Sequence, residues 1–382
     1  MKKILLFIIM MCITFTKVYA IDLAKNAESS ILMEASTGEI IYEKNKDERL
    51  APASMTKMMS LIIIMEEIEK GNLKLNQIIT ISENAASMGG SQIYLEKNEK
   101  MSVDDLLKGI CMASANDAVV ALSEVISGTE DEFVKRMNKK AKELGLKNTN
   151  FRNATGLDDD EHYSSAYDMA LIARELVKHK KVLEYSSNYE DYLRENTNKK
   201  FWLVNTNKLI KTYDGMDGLK TGYTERAGYC LTATAKKNNM RLISVVMKES
   251  DSKIRNNETS EILDYGFNLY KVNRLFKKND VVSKYVDNKS SKVNNDVIVK
   301  NDISILNKKS SKKRNITYKV KLDKKKLPIK KNEKVGIIEV KENGKVIYKD
   351  NVYSKNLIKK ANLLEVLIRN LKDIFSGRYL FN

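Results

Sequence analysis

The periodicity of hydrophobic and polar positions changes along the chain, and each periodicity predicts a different secondary-structure element. Two short apolar-rich runs, residues 30–34 and 39–42, flank the turn sequence Ala35-Ser36-Thr37-Gly38, which predicts a β-hairpin. Residues 54–71 are strong helix formers with an almost wholly apolar middle, which predicts a helix buried on most sides. Further helical patterns cover residues 103–126, 131–144 and 165–179.

Three strand-like runs follow in short order, at residues 219–224, 229–235 and 241–247. Good turn sequences separate them, so an antiparallel meander is the simplest arrangement. A last helical pattern at residues 255–270 closes this region. Strands at both ends with helices between them predict an α+β fold, in which one antiparallel sheet, completed by the N-terminal hairpin, is flanked by helices.

Beyond residue 271 the chain is rich in Lys, Asn and Ser and contains short β-branched runs. These runs lie at residues 296–299, 316–322, 335–340 and 345–348, and Asn343-Gly344 between the last two is a strong hairpin signal. We therefore expect a small C-terminal all-β domain at residues 277–353.

The tail, residues 354–382, carries apolar side chains on one helical face. They recur at spacings of three and four residues, at Leu357, Ala361, Leu364, Ile368, Leu371 and Phe375. The basic residues lie off this stripe, at Lys355, Lys359, Arg369 and Lys372. The pattern predicts a terminal amphipathic helix on an anionic membrane surface; the alternative is a helix packed on its own domain or in a dimer.

The N-terminus has the pattern of a secretory signal. Lys2 and Lys3 precede an apolar run at residues 4–13, and Val18-Tyr19-Ala20 ends in a small residue before a polar stretch. We expect residues 1–20 to be removed, which leaves a main domain at residues 21–276. The protein is then exported and lies peripherally at the outer face of the cytoplasmic membrane or in the cell wall.

The net charge of +17 comes from the last third of the chain. Residues 271–382 hold 30 Lys or Arg and 11 Asp or Glu, a net of +19, whereas the first 270 residues hold 37 basic and 39 acidic side chains, a net of −2. A uniform basic coat is typical of nucleic-acid binding, but a polarised charge behind an export signal favours an anionic membrane or wall surface. We expect no nucleic-acid partner.

Cysteine and histidine usage argues against a metal site. Cys111, Cys230, His162 and His179 remain after signal removal, and none belongs to a clustered ligand pattern such as His-Glu-x-x-His. We therefore expect no metal and no cofactor. Both cysteines have apolar neighbours, which favours buried free thiols over a disulfide or a reactive thiol.

Ser54-Met55-Thr56-Lys57 opens the buried helix and brings a hydroxyl close to an amine. A spacing of three places Ser54 and Lys57 on one helical face, about one turn apart. A serine hydroxyl becomes a strong nucleophile only when a neighbour takes its proton, and burial can keep a lysine amine neutral enough to do so.

Two further triplets could complete such a site. Ser114-Ala115-Asn116 lies at a predicted junction between helices, where a second hydroxyl could relay a proton and a carboxamide could hold a substrate amide. Lys220-Thr221-Gly222 lies on the first strand of the meander, where it could face an anionic group while the glycine admits a substrate backbone. Each triplet alone is an ordinary polar turn or strand edge.

In this order the three triplets match the signature of penicillin-binding proteins and class A β-lactamases. Other segments extend the match over nearly the whole chain after the signal: residues 51–58, 156–158, 163–166, 168–170 and 266–267. The chain resembles the low-molecular-mass D-alanyl-D-alanine carboxypeptidases of the penicillin-binding protein 5 type. It departs from them at Ala115, where relatives commonly have glycine, and at Thr155, where several have histidine.

The resemblance implies a reaction and a set of catalytic residues. Ser54 would attack the carbonyl between the two terminal D-alanines of a peptidoglycan stem peptide and become acylated. Lys57 would be its general base, and Ser114 would relay the proton to the leaving amine. Water would hydrolyse the acyl-enzyme, and β-lactams, as mimics of the dipeptide, would acylate the same hydroxyl.

The resemblance also implies substrate-binding residues. Asn116 would bind the peptide amide, while Lys220 and Thr221 would engage the terminal carboxylate. The backbone amides of Ser54 and Tyr223 would form an oxyanion hole. The set is completed by Arg255, which the resemblance places where it helps to fix the carboxylate environment, and by Gly222, where the substrate backbone can lie close to the strand edge.

Two other readings compete with a carboxypeptidase. Class A β-lactamases use a glutamate in a Glu-x-x-Leu-Asn context to activate the deacylating water, but residues 151–170 contain no such sequence, and those enzymes lack a C-terminal β domain. A wall- or membrane-binding protein with an inactive peptidase fold is the second alternative. Every reactive residue is present, which favours the enzyme.

Overall fold

The computed structural model describes residues 22–311 and 314–376, so the predicted signal at residues 1–20 lies outside the described part of the chain. The main domain contains the strands β1 Ser29–Glu34, β2 Ile40–Lys44, β3 Ile78–Thr80, β4 Lys100–Ser102, β5 Glu190–Leu193, β6 Phe201–Val204, β7 Met216–Thr224, β8 Gly228–Lys237 and β9 Met240–Glu249. Its helices are α1 Lys57–Glu69, α2 Glu83–Ala86, α3 Val103–Lys108, α4 Asn116–Ser127, α5 Glu130–Glu143, α6 Ala166–Leu176, α7 Lys180–Ser186, α8 Leu209–Thr212 and α9 Ser252–Leu269.

The main sheet has five antiparallel strands in the order β2-β1-β9-β8-β7. The predicted meander and the N-terminal hairpin join because β1 pairs with β9, with Ile31 opposite Val245. Helices cover both faces of the sheet: α1 lies in the larger apolar core on one side, and α9 packs on β8 and β9 on the other. The predicted α+β architecture is therefore confirmed.

The helical pattern predicted for residues 103–126 is broken in the middle, where a junction was expected. Helix α3 passes into a π-helical turn at Gly109–Ala113, and Ser114 then adopts a left-handed conformation with φ 66° before α4 begins. The backbone N–H of Asn116 donates to the Ser91 carbonyl rather than to its own helix. The second triplet therefore lies at the break between two helices, as the sequence predicted.

The C-terminal part is all-β, as predicted, but it begins earlier than residue 277. Its strands are β10 Tyr270–Phe276, β11 Val281–Val286, β12 Asn294–Val299, β13 Ile303–Lys308, β14 Ile316–Leu322, β15 Lys334–Glu342 and β16 Lys345–Ser354. Strand β10 pairs with β13, and the other five form one sheet in the order β11-β12-β16-β15-β14. The sequence pattern missed β10 because most of its side chains are partly or fully exposed, so it lacks a clear apolar face.

The tail forms a shorter helix than predicted. Helix α10, Leu363–Phe375, starts at a capping box in which Asn362 and Glu365 satisfy each other's backbone N–H groups. Residues 355–362 are instead an extended segment, in which Ile358 pairs with Ile329. Within the described ranges, no helix combines the length and apolar character needed to cross a bilayer.

Helix α10 rests on the β domain through one narrow face. Val366, Arg369 and Asp373 are half-buried, and Arg369 donates hydrogen bonds to the carbonyl oxygens of Asn288 and Ser290. The opposite side is exposed and apolar, at Leu363, Leu364, Leu367, Ile368, Leu371, Ile374 and Phe375. The helix therefore keeps an apolar surface turned away from its own domain.

Candidate active site

The first triplet lies at the start of α1, where a 3-10 turn at Ala53–Thr56 leads into the helix. Lys57 is 0% exposed. Its Nζ lies 2.8 Å from Oγ of Ser54 and donates a hydrogen bond of 2.7 Å to the carbonyl oxygen of Thr155. With one N–H engaged by that carbonyl, a neutral amine directs a free lone pair to the serine hydroxyl.

The electrostatics of the pocket favour that neutral amine. Burial lowers the pKa of Lys57 well below its ordinary value, and the positive charge of Lys220 lowers it further, while Asp117 acts in the opposite direction. Asp117 is itself buried, and its carboxylate accepts backbone N–H bonds from Ile93 and Leu95. Burial and the charge of Lys220 therefore both favour the form of the Lys57 amine that can accept a proton.

A glycine permits the loop that holds Lys57. Gly156 has φ +86°, and a Cβ at this position would lie 1.9 Å from the Ala53 carbonyl oxygen. The loop therefore lies directly against the turn that carries Ser54, which brings the Thr155 carbonyl within reach of Lys57. No side chain larger than hydrogen fits this approach.

The second triplet presents two polar atoms without protein partners. Oγ of Ser114 and Oδ1 of Asn116 are buried, and neither has a hydrogen-bond partner among the described residues. Nδ2 of Asn116 donates a hydrogen bond of 2.7 Å to the Gly89 carbonyl, and this bond fixes the orientation of the carboxamide. Buried polar atoms are normally satisfied, so these two are suited to a ligand group.

The third triplet lies on β7 and is linked to the second through Thr206. Oγ1 of Thr221 donates a hydrogen bond of 2.8 Å to Oγ1 of Thr206. The backbone N–H of Thr206 in turn donates a hydrogen bond of 3.0 Å to the Met112 carbonyl. Lys220 is buried, and its Nζ donates 3.1 Å to the Thr221 carbonyl. Burial lowers the pKa of Lys220 to about 7, with opposing effects from Cys111, which raises it, and Arg255, which lowers it.

Gly222 allows β7 to lie against the nucleophile turn. A Cβ on Gly222 would come within 2.8 Å of the Pro52 carbonyl oxygen and 3.1 Å of the Ala53 Cβ. The strand edge with Lys220 and Thr221 therefore borders the turn that carries Ser54, so the first and third triplets form one surface.

The two remaining predicted residues lie at the margin of this surface. Arg255 is buried on α9, its guanidinium donates to Oδ1 of Asn256, and burial lowers its pKa. Its positive charge also lowers the pKa of Lys220. Tyr223 is half-exposed, and its ring centroid lies 4.4 Å from that of Tyr229.

Sequence reasoning missed the support around Thr56. Nε2 of His162 lies 2.8 Å from Oγ1 of Thr56, and Nδ1 of His162 accepts the Arg152 backbone N–H at 3.2 Å. One signal in the sequence could have pointed to His162: it directly precedes the segment 163–166, which carries part of the resemblance. Its contact with the Ser54–Lys57 turn spans a hundred residues of chain, and no local pattern reports such a contact.

The site contains no sign of a metal centre. Across residues 22–311 and 314–376, no three or more His, Cys, Asp and Glu side chains are grouped so as to hold a metal ion. Cys111 and Cys230 are both buried and free, as expected from their apolar neighbours. The side chains at this site offer three hydroxyls, two amines, a carboxamide and a guanidinium.

Comparison with known proteins places both parts of the chain. Residues 16–251 match the family described as D-alanyl-D-alanine carboxypeptidase, and residues 270–360 match the penicillin-binding protein 5 C-terminal domain. The D-alanyl-D-alanine carboxypeptidase DacF of Bacillus subtilis (strain 168) is 50% identical over 353 residues, which cover 92% of this chain and 91% of that protein.

Solved structures show the same likeness. Penicillin binding protein 5 from Haemophilus influenzae is 33% identical, with a TM-score of 0.72 over 88% of this chain and 98% of that one. Penicillin-binding protein D2 from Listeria monocytogenes, in its ampicillin-bound form, is 31% identical, with a TM-score of 0.59 over 65% of this chain and 100% of that one. The first of these likenesses extends beyond the main domain into the β domain.

Proposed function

The chain belongs to the D-alanyl-D-alanine carboxypeptidase family, and on that premise we propose how its own residues perform the reaction and where it works. It is a serine-type carboxypeptidase of the penicillin-binding protein class, as the three triplets predicted. It acts on peptidoglycan, outside the cytoplasm. The observation that carries the assignment of roles is the 2.8 Å separation between Nζ of Lys57 and Oγ of Ser54 in a site where burial disfavours the charged form of the amine.

Acylation begins when the peptide carbonyl between the two terminal D-alanines lies against Ser54. Oγ of Ser54 attacks the carbonyl carbon as its proton passes to Nζ of Lys57. The C–N bond breaks, and the proton returns through the Ser114 hydroxyl to the leaving amine, so that free D-alanine departs. Water then attacks the ester carbonyl, and Ser54 regains its hydroxyl hydrogen.

Substrate binding uses the unpaired and cationic groups around this centre. Oδ1 of Asn116 accepts a hydrogen bond from the substrate amide, because it is buried and has no partner among the described residues. The terminal carboxylate lies beside Lys220 and Thr221, with Arg255 adding positive charge behind them. Gly222 leaves room for the substrate backbone, and the amides of Ser54 and Tyr223 receive the oxyanion.

Two measurements test these roles. Purified protein should release D-alanine from a wall pentapeptide, and Ser54→Ala should abolish release. A fluorescent penicillin should label Ser54 covalently with slow turnover, since the Listeria relative is known with ampicillin bound. Rapid turnover would indicate a β-lactamase, and no label at all would indicate a binding protein with an inactive peptidase fold.

The location of the enzyme rests on its two ends. We infer that residues 1–20 direct export and that α10 holds the enzyme peripherally at the outer face of the membrane. The exposed apolar side of α10 supports this, because an isolated apolar helix face on a basic domain suits an anionic bilayer surface. The alternative, a helix packed on its own domain, explains the contacts of the side that carries Arg369 but not the exposed apolar side.

A further inference from the structure

The β domain contains a lysine-rich pocket far in sequence from the catalytic triplets. This lysine pocket has a volume of about 620 Å³. Its walls carry four lysines with an apolar floor: Lys289, Lys324, Lys326, Lys360, Tyr285 and Leu327. Tyr285 is buried, and its Oη accepts the backbone N–H of Lys325 at 2.9 Å, which fixes the floor to the lysine-bearing segment.

The lysine pocket carries more positive than negative side chains. Among the described residues, no carboxylate lies within ion-pair distance of any of its four wall lysines. A fifth lysine, Lys325, also lines the pocket and lies 3.8 Å from Glu333. The acidic residue that lines the pocket, Asp287, accepts the backbone N–H of Lys289 at 2.7 Å. The lining therefore holds five lysines and one carboxylate, so the net charge of the pocket is positive.

The lysine pocket and helix α10 are built on the same loop, residues 287–291. Lys289 lines the pocket, while its carbonyl accepts the N–H of Ala361, two residues before α10. The same loop supplies the two carbonyls that hold Arg369. If α10 lies in a bilayer interface through its exposed apolar side, the pocket is carried to the depth of the lipid headgroups.

We propose that the lysine pocket binds the phosphate of an anionic phospholipid headgroup beside the inserted helix. This inference rests on the membrane position given to α10 under the proposed function. Lysine ammonium groups are flexible point charges that suit phosphate oxygens, and basic clusters next to an interfacial helix attract anionic lipids. The Tyr285 and Leu327 side chains offer apolar contact to the glycerol carbons.

A vesicle-binding experiment with matched variants tests the site. The full-length protein is sedimented with phosphatidylcholine vesicles, alone or containing phosphatidylglycerol. The pocket variant Lys289→Gln/Lys324→Gln/Lys326→Gln removes three charges from the pocket. The control variant Lys319→Gln/Lys334→Gln/Lys345→Gln removes three charges elsewhere on the β domain. Unchanged melting temperatures show that both variants are folded, and unchanged D-alanine release shows that their active sites are intact.

The pocket variant should bind anionic vesicles at least about 10-fold more weakly, the control variant should lose less than about 2-fold, and binding to neutral vesicles should not change. Equal losses of vesicle affinity in the two variants would mean that the whole basic domain attracts the vesicle. That result would overturn the lysine pocket as a binding site but not the membrane position of α10. If the unmodified protein binds neither kind of vesicle, the proposal that α10 lies at the membrane is contradicted instead.

A site-resolved measurement separates the possible sources of phosphate. Acetylation rates of individual lysines, read by mass spectrometry, should fall at Lys324 and Lys326 in the presence of phosphatidylglycerol vesicles, but not at Lys319. Glycerol 1-phosphate should protect the same lysines in a chain that ends at Asn362, which lacks α10. Protection by soluble poly(glycerol phosphate) without protection by vesicles would assign the pocket to a wall polymer and overturn the lipid assignment.

Discussion

Nε2 of His162 lies 2.8 Å from Oγ1 of Thr56, which directly precedes Lys57 in the turn that carries Ser54. Because Nδ1 of His162 accepts the Arg152 backbone N–H, the ring hydrogen is on Nε2 and is donated to Thr56. Burial lowers the pKa of His162 to about 4, so the ring stays neutral at physiological pH. His162 is thus a positioning residue for the turn that carries Ser54 and Lys57.

This geometry predicts opposite results for two similar substitutions. His162→Gln can still place an N–H donor near Thr56, whereas His162→Asn keeps only the polar atom near the Arg152 N–H. We expect His162→Gln to keep most of the rate of penicillin acylation and His162→Asn to lose about 10-fold, with KM for the peptide little changed, because alignment rather than binding is disturbed. Equal rates of penicillin acylation in the two variants would contradict a role for the contact between His162 and Thr56 in catalysis.

The two buried lysines predict a bell-shaped pH dependence of kcat/KM. Activity should rise with pH as Lys57 loses its proton, and fall above about pH 7 as Lys220 loses the charge that attracts the carboxylate. A bound carboxylate stabilises the charged form of Lys220, so the alkaline limb of kcat should lie at higher pH than that of kcat/KM.

Lys220→Arg provides the check on the alkaline limb. Arginine stays protonated throughout the accessible range, so the variant should be slower but should show no decline between pH 7 and 9, roughly the window set by Lys220. D-alanine release measured across the pH range gives both profiles. An alkaline limb that persists unchanged in the variant would contradict the role of Lys220.

Gly156 predicts a steep cost for adding one methyl group. In Gly156→Ala the new Cβ would overlap the Ala53 carbonyl oxygen, so the loop must move away and withdraw the Thr155 carbonyl from Lys57. We expect stability to fall by more than about 4 kcal/mol and acylation to be nearly abolished.

Gly71→Ala is the matched control for backbone strain. Gly71 also has positive φ, +80°, but a Cβ there meets nothing within 4 Å. Its substitution should cost only about 1 kcal/mol and leave acylation unchanged. Chemical denaturation and penicillin labelling of both variants separate the strain of the left-handed backbone from the clash itself; similar losses in both would contradict the packing argument.

A buried carboxyl pair predicts that stability depends on pH. Neither carboxyl oxygen of Glu249 has a donor among the described residues, while the adjacent Glu258 accepts backbone N–H groups from Asn26 and Ala27. Burial, followed by the hydrogen bond to Glu258, raises the pKa of Glu249 to about 8. Glu249 is therefore protonated at neutral pH and donates to Glu258.

The sign of the effect follows from proton binding. Between pH 4.5 and 8 the folded protein holds a proton on Glu249 that the unfolded chain releases, so stability should decline as pH rises through that window. Glu249→Gln donates an N–H at every pH and should raise the Tm at pH 8 by at least about 4 °C, with little change at pH 5. The exposed Glu261→Gln, on the helix α9 that also carries Glu258, should change neither value.

The C-terminal segment predicts different results for two truncations. A chain that ends at Asn362 lacks only α10 and should keep full D-alanine release while losing its attachment to vesicles. A chain that ends before Ser354 also loses the buried Ser354 and Ile358, so its β domain should unfold at lower temperature. Membrane attachment of the chain that ends at Asn362 would show that α10 is not the anchor.

Much of this protein could be predicted from local sequence. The apolar run of α1, the turns of the meander and Asn343-Gly344 each set their element through short-range patterns, and the three triplets in their order identified the family. Short-range signals suffice there because strand alternation, helical periodicity and turn chemistry depend on neighbours a few residues apart.

Tertiary structure alone decided how those residues act. The lowered pKa of Lys57 depends on burial and on Lys220, far along the chain, and the Thr155 carbonyl reaches Lys57 only because Gly156 packs against Ala53. The contact of His162 with Thr56 and the lysine pocket beside α10 are likewise long-range arrangements. Charge state and hydrogen-bond partnership are set by the groups surrounding an atom in space, and sequence spacing does not specify those groups.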